Sequence, residues 1–529
     1  MMNRFVKLTK IKKYRINEIK MEIEKPLTEL PVIISRLLSV STDEITDWRV
    51  VKESIDARDK TNIRMVYSVE FDTNKTIPKK ILQKNRCSLA KPKKRYEPKP
   101  GSEIIKGRPV VVGFGPAGIF ASLELARRGY RPLVIERGCS MDDRVKDVYS
   151  FTNKSLLNKE SNILFGEGGA GTFSDGKLTT GIKDPNIGYV LREFAKAGAG
   201  DEIIYKNKPH IGTDVLRSVV VRLREEVIGL GGEILFNAKL ENVSMESGEL
   251  SSISVRVSKP KEEHIKIRTN ALILATGHSA RDTYEMLDQI NLEMEQKPLS
   301  IGVRISHPQS LIDKAMYGDE KRLPPADYKL SYRASNGRGV YSFCMCPGGE
   351  VVTCATEDGE LCVNGMSKRR RDSGTANSGI LCDVRTDDFD GSDALAGIRF
   401  QQKYERLAFV NGGGNFKSPE CTMKEFMNKS GTSVINSMPD FAYEAIREAI
   451  PNFARKIKGY DSEDAIINAV ETRSSAPLRV IRNKDTGEST RVRGIYPTGE
   501  GSGYAGGIMS AACDGIKQAN KIIERFSTS

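Results

Sequence analysis

Residues 108–138, RPVVVGFGPAGIFASLELARRGYRPLVIERG, constrain the fold more than any other stretch of this chain. Val110, Val111 and Val112 form a short, wholly apolar run, the mark of a parallel strand buried on both faces. Gly113-Phe114-Gly115-Pro116-Ala117-Gly118 follows at once. An amphipathic run from Ile119 to Arg128, closed by Gly129, comes next, and then Leu133-Val134-Ile135 ending on Glu136. Strand, glycine-rich turn, helix, strand and acid in that order make the βαβ unit that binds a dinucleotide. Gly113 permits the tight turn, Gly115 lets the main chain approach a pyrophosphate, and Gly118 lets the helix pack close to the strand. The helix N-terminus offers unbonded N–H groups to the phosphates. Glu136, about 20 residues on, is placed to accept hydrogen bonds from a ribose 2′-OH.

The rest of the chain arranges itself around this unit. Residues 1–83 read as a small basic α/β domain. Tyr14–Glu24, Trp48–Val51 and Ile63–Phe71 have strand character, and Leu27–Leu38 has helical spacing. Ser41-Thr42-Asp43-Glu44 is a capping signal. Residues 84–106, with Pro92, Pro98, Pro100 and a lysine run, read as a linker. A cofactor domain is expected over 107–284 and again over 441–529, with a substrate domain inserted at 285–440. Within these, Thr213–Gly229 reads as a helix capped by Thr213 or Asp214, and Glu233–Phe236 as a strand that Ala238–Val243 continues. Ala271–Gly277 is a buried strand ending in Ala275-Thr276-Gly277. Asp393–Val410 and Asp461–Val470 read as helices, and Ile495–Ala519 as strand, glycine-rich turn and helix.

Composition excludes several classes. At 529 residues, 39% hydrophobic and 29% charged, the chain is an ordinary globular one of several domains rather than a disordered one. No apolar core follows the basic N-terminal residues, and no long stretch is apolar enough for a membrane span, so a cytoplasmic protein is expected. Nine cysteines fit reduced thiols better than a disulfide framework. Net charge is +13, and it is uneven: the first 100 residues hold 24 Lys and Arg against 13 Asp and Glu. Such a module can meet an anionic partner. Aromatics such as Phe5, Tyr14, Trp48 and Tyr67 are too scattered for a base-stacking ladder, which disfavours nucleic acid.

Longer motifs bring a family into view. They are FGEGGAGTFSDGKL (165–178), ATGHSARDTYEML (275–287), CMCPGGEVV (344–352), NGMS (364–367), ETRSSAPLRV (471–480) and GEGSGYAGGI (499–508). Together with GFGPAG and Glu136-Arg137 they resemble the uncharacterised FAD-dependent dehydrogenases with an extra N-terminal α/β domain. The resemblance spans nearly the whole chain. It implies an α/β fold class: a Rossmann-like, three-layer FAD-binding domain with a parallel sheet, an inserted α+β substrate domain, and a small ferredoxin-like N-terminal domain. It also implies FAD held by Gly113, Gly115, Pro116, Ala117, Gly118, Glu136 and Arg137, by the loop residues Gly168, Gly169, Thr172, Lys177 and Leu178, by Lys239 and Ala275-Thr276-Gly277, and by Gly499, Glu500, Gly506, Gly507 and Ile508.

A bound flavin carries the difficult chemistry, so the protein must place a small-molecule substrate against it and exclude water. Arg473, Arg304, His278 and Tyr504 are the candidate catalytic groups, with Arg281 beside them. Arg473 could hold a carboxylate bidentately or could belong to an ion pair with Glu471 or Asp175. His278 could donate a proton or anchor the strand end. Cys344 and Cys346, two apart on a strand, would face one side. They could be redox-active, but no metal site is expected from that spacing. Lys368-Arg369-Arg370-Arg371 reads as a solvated basic loop. The expected activity is hydride transfer between an organic substrate and flavin N5, with NAD(P)H or another small donor or acceptor completing the cycle. Only one complete dinucleotide motif is present, so no separate NAD(P)H domain is expected. Two rival readings are a flavoprotein acting on RNA through the basic domain and a non-catalytic flavin sensor.

Overall fold

The computed structural model describes residues 11–91 and 94–528, so Phe5 and Pro92 lie outside the described residues. The N-terminal domain runs strand Lys12–Met21, helix Leu30–Leu38, strands Thr46–Asp56 and Arg64–Thr73, helix Lys79–Lys84, strand Cys87–Leu89. The first strand pairs antiparallel with the third and the fourth, and the second strand pairs only with the third. This βαββαβ order is the ferredoxin-like arrangement. Its apolar alternation fills one core: Tyr14, Ile16, Val69 and Phe71 from the strands meet Leu30, Ile34 and Leu38 from the helix. The last strand occupies residues assigned above to the linker, and the helix before it reaches the linker's first residue. Their apolar content is too small to register as a period, and only the sheet edge beside Tyr14–Ile16 makes Cys87–Leu89 a strand. The domain docks through main chain, with Glu53 N–H donating to Tyr205 O at 2.7 Å and Asn207 N–H to Glu53 O at 2.8 Å.

The cofactor domain is built on a five-stranded, all-parallel sheet in the order Ile495–Pro497, Leu272–Leu274, Val110–Val112, Leu133–Ile135, Glu233–Leu235. Its central strands are apolar throughout because both faces are covered. Helices Pro116–Arg127, Thr213–Gly229 and Ile508–Arg525 pack on one face. An antiparallel sheet of Ala238–Glu246, Glu249–Val257 and Glu263–Arg268 covers the other. Glu233–Leu235 and Ala238–Glu246 are therefore two strands in two sheets, not one continued strand. Asn237, at φ 54°, makes the break between them. The helix Thr213–Gly229 starts on Gly212 rather than on a side-chain cap, since Thr213 Oγ1 is donated to Thr172 O at 2.7 Å.

The inserted domain is a six-stranded sheet in the order Ser331–Arg333, Gly339–Cys346, Thr375–Val384, Leu299–Pro308, Ile466–Glu471, Glu420–Thr422. Gly349–Cys354 and Cys362–Ser367 form a separate hairpin. The stretch 461–470, read as a helix, is turn in its first half and strand in its second. Ile466, Ile467 and Asn468 lie between two antiparallel neighbours, and this tertiary setting overrides the local preference. Helix Asp440–Lys456 packs in the same core, so the inserted unit reaches residue 471 rather than ending at 440.

Candidate functional site

The glycine turn is strained in the way its sequence requires. Gly113 has φ 97°, where a side chain is disfavoured, and a Cβ on Gly118 would overlap the Gly113 carbonyl. The helix that follows begins on Gly115 with Pro116 at its first position and no side-chain cap, so its leading N–H groups are free for a ligand. The C-terminal helix begins the same way, on Gly507 without a cap. Both starts open into one cleft enclosing about 380 Å³. Gly277, Gly506 and Gly507 line it, and a Cβ on any of them would meet no protein atom.

A second wall comes from the 165–178 loop. Gly169 lies against Gly115, where a Cβ would sit 3.0 Å from Gly115 Cα. The loop is shaped by Arg144, a residue that reading the sequence missed. Wholly buried, Arg144 donates to the carbonyls of Asn162 (2.9 Å), Ile163 (2.9 Å), Gly166 (3.3 Å), Glu167 (2.6 Å) and Gly169 (3.0 Å). Burial pulls its guanidinium down to about 9. Nothing near Arg144 in sequence marks it, because its partners are main-chain carbonyls 18 to 25 residues away.

Most residues expected to hold a cofactor reach this cleft: Gly113, Gly115, Pro116, Ala117, Glu136, Arg137, Gly169, Lys177, Lys239, Ala275, Thr276, Gly277, Glu500, Gly506, Gly507 and Ile508 line it. Gly118, Gly168, Thr172, Leu178 and Gly499 do not. Gly118 acts in helix packing, Thr172 and Leu178 are buried, a Cβ on Gly168 would overlap Thr172 Oγ1, and Gly499 N–H is held by Asp514 at 2.8 Å. Glu136 has duties beyond those its position suggested. Its carboxylate accepts N–H bonds from Phe114 (2.8 Å), Gly138 (2.9 Å) and Gly166 (3.1 Å), tying turn, strand end and loop together. Arg137 and Lys239 meet on Asp282, with Arg137 bidentate at 3.0 and 2.9 Å, so both cations are paired.

The candidate catalytic groups divide. Tyr504 points away: its hydroxyl accepts from Arg482 N–H at 3.1 Å and its ring lies under Arg482. Arg304 is fully buried outside the cleft, bidentate to Glu471 at 2.9 Å on both arms. Arg473 lines the cleft, but its guanidinium is committed to Glu405 at 3.0 and 2.7 Å, not to Glu471 or Asp175. Arg281 grips the same Glu405. Burial raises the Glu405 carboxyl, but the two guanidinia outweigh it and hold it at about 2. The basic run at 368–371 is solvated only in part: Lys368 and Arg370 are exposed, but the other two are engaged. Arg369 pairs with Glu202, and Arg371 donates to Asp175 at 2.7 Å, strapping the inserted hairpin to the cofactor domain.

That leaves His278 and Glu500, both on the cleft, with Nε2 and Oε1 3.7 Å apart. Burial, together with Arg473 and Arg281, lowers His278 to about 4, so it is neutral near pH 7. Its Nδ1 has no partner among the described residues. Burial raises Glu500 to about 7, only partly opposed by Lys297. A carboxyl titrating near neutrality beside a neutral imidazole can take or give a proton. Phe343, Cys344 and Asn364 of the inserted domain, with Ser474, close the cleft opposite the glycine turn.

A family described as FAD-dependent protein, C-terminal domain-like, matches residues 298–474, and a domain of unknown function matches residues 13–72. An uncharacterized protein of Clostridium beijerinckii is 48% identical over 535 residues, spanning 97% of this chain and 99% of its own. The chain belongs to this FAD-dependent family. Solved structures similar to this family member include a flavin-dependent brominase at 12% identity and TM-score 0.37, covering 78% of this chain and 76% of that one. Glycine oxidase from Bacillus cereus is similar at 10% and 0.34, covering 79% and 95%. L-proline dehydrogenase from P. horikoshii is similar at 12% and 0.33, covering 79% and 93%. Likenesses this distant say nothing of a substrate. The cleft of the FAD-dependent chain itself suits its cofactor: two uncapped helix starts for anionic groups, three glycines facing open space, and a buried histidine nitrogen without a partner.

Proposed function

We propose that the protein is an oxidoreductase in which FAD exchanges a hydride with an organic small molecule admitted between the cofactor domain and the inserted sheet. The observation that carries this reading is the His278–Glu500 pair. It is a pair of titratable groups facing the cleft that the inserted domain and the cofactor-binding glycines enclose together. FAD, when bound, supplies two-electron chemistry at its N5 position. Gly113–Ala117 and the main chain of Gly169 would hold its phosphates, and Glu136 its ribose. The uncapped start of the helix at Ile508 favours negative charge at the other end. Glu500 Oε1 holds or accepts the substrate proton, with neutral His278 beside it at 3.7 Å. Phe343 and Ile508 exclude water from the same space.

The RNA reading finds little support in the basic domain. Tyr14 and Tyr67 are core residues, and Lys13, Lys20, Arg49 and Lys75 are paired with carboxylates. The test is an anaerobic screen of fractionated metabolites, read as bleaching of the flavin absorption. Bleaching by one fraction, slowed in Glu500→Gln with FAD content unchanged, supports the proposal. Bleaching that is indifferent to Glu500→Gln refutes the role given to the pair.

A further inference from the structure

All nine cysteines are free, and Cys344 alone among them is not buried. It lies on the cleft, beside Phe343 and across from the glycine turn. Its strand pairs regularly with Thr375–Val384 as far as Phe343↔Gly379, then resumes at Cys346↔Asn377, one residue out of step. The extra residue makes a bulge, and Cys344 there has φ 40°. Bulges of this kind re-aim a side chain at the cost of local strain, and they gather at active sites. Here the bulge sets the Cys346 thiol against the main chain of Cys344. Cys346 is buried behind Cys344, its Sγ 3.2 Å from Cys344 O. Room for that sulfur is made by Gly365 on the facing hairpin, where a Cβ would stand 2.8 Å from it.

Two cations frame the pair. Arg304 Nη1 is 3.3 Å from Cys344 O and 3.9 Å from Cys346 Sγ, and Lys177 Nζ donates to Met345 O. The neighbouring Cys346 thiol, followed by the charges of Lys177 and Arg304, holds the Cys344 thiol well below its ordinary range. Cys346 is pushed up. A cleft-facing sulfur that favours the thiolate, backed by a buried protonated partner, is the division of labour of an attacking and a resolving thiol. Cys354 and Cys362 show the contrast. They stand opposite each other across the hairpin, but buried in an apolar cluster with Ile163, Leu164 and Phe173, and neither lines the cleft.

We propose that Cys344 and Cys346 are a redox-active dithiol that exchanges an electron pair with FAD in this cleft. The proposal rests on the reading of the cleft as the FAD site. In one direction the Cys344 thiolate joins Cys346: the one S–H bond, that of Cys346, breaks, one S–S bond forms, and two electrons and one proton pass to the flavin, which would be reduced to its anionic form. In the other, reduced flavin returns both to the disulfide, the S–S bond breaks, and flavin is reoxidised. Lys177 and Arg304 act as positioning residues that stabilise the Cys344 thiolate.

The test is an anaerobic dithionite titration of air-oxidised holoprotein. Wild type is expected to take up about four electrons per bound FAD, and Cys344→Ser and Cys346→Ser about two, because each disulfide is a two-electron couple. A second measurement needs no variant. The tryptic peptide Gly339–Lys368 from unreduced protein should be lighter by two hydrogens, with the link mapped to Cys344–Cys346. Uptake of about two electrons by wild type, with both cysteines alkylated as free thiols, overturns the proposal. A link mapped to Cys354–Cys362 also overturns it. Protein that holds no FAD at all instead refutes the reading of the cleft, so the two failures are distinguishable.

Discussion

Replacing Arg144 by methionine tests whether one buried guanidinium shapes the cofactor loop. Of its five carbonyl acceptors, Gly166 O and Gly169 O keep another N–H donor, from Gly169 and Thr172. Asn162 O, Ile163 O and Glu167 O keep none among the described residues. A buried carbonyl left without a donor costs about 1–3 kcal/mol, so three of them set a ceiling of about 9 kcal/mol. Water entering beside the shorter side chain, and relief from burying a charge, offset part of that. The expected loss is about 3–5 kcal/mol, a large share of the roughly 5–15 kcal/mol that stabilises a typical domain. For a domain this size that is a fall in Tm of roughly 10 °C, since about 1 kcal/mol moves Tm by about 2–4 °C. Calorimetry of the apo protein gives the shift, and the FAD-to-protein ratio after reconstitution gives the consequence. Binding should weaken at least tenfold, because Gly169 and Gly115 lose their mutual support. An Arg144→Met protein that melts within about 2 °C of wild type and holds a full complement of FAD would refute the reasoning.

Three further outcomes are expected. Gly115→Asp should fold normally, since a Cβ there meets only Gly169 Cα at 3.6 Å, yet lose FAD by placing a carboxylate where the pyrophosphate must lie; equilibrium dialysis measures it. The neutral Glu500 carboxyl is favoured in the folded state, so its contribution to stability is complete below the ordinary value of 4.5 and is lost as pH rises through about 7. Glu500→Gln should therefore match wild type near pH 4 and exceed it by up to about 3 kcal/mol near pH 8, as urea unfolding of the apo protein will report. Arg281→Met should cost about 3–5 kcal/mol, because it leaves Glu360 and Glu405 short of a buried partner, and should separate the melting of the inserted domain from that of the cofactor domain.

What could be read from the sequence follows from how local each signal is. The unit from Val110 to Glu136 is legible because its strand, turn, helix and acid act over a few residues with fixed spacing. The same holds for Ala275-Thr276-Gly277 and for the glycines before the C-terminal helix. The strand Ile466–Glu471 is not legible, since only the flanking strands make an alanine-containing apolar run extended. Arg144 is silent because its partners are carbonyls, which every sequence has. Arg304 and Arg473 look like substrate anchors because arginine near a cleft motif is ambiguous. Only the structure shows Glu471 and Glu405 occupying them. Cys344 and Cys346 were expected to share a face of a regular strand, and it takes the one-residue slip against Thr375–Val384 to turn one of them into the cleft.

The most direct test of the central claim is the absorption spectrum of the purified protein before and after anaerobic exposure to metabolite fractions. A yellow protein that releases FAD on denaturation, and whose flavin band is bleached by at least one fraction and restored on reoxidation, is the predicted result. Protein that neither carries nor takes up FAD, or whose bound flavin no fraction can bleach, would contradict an FAD-dependent oxidoreductase.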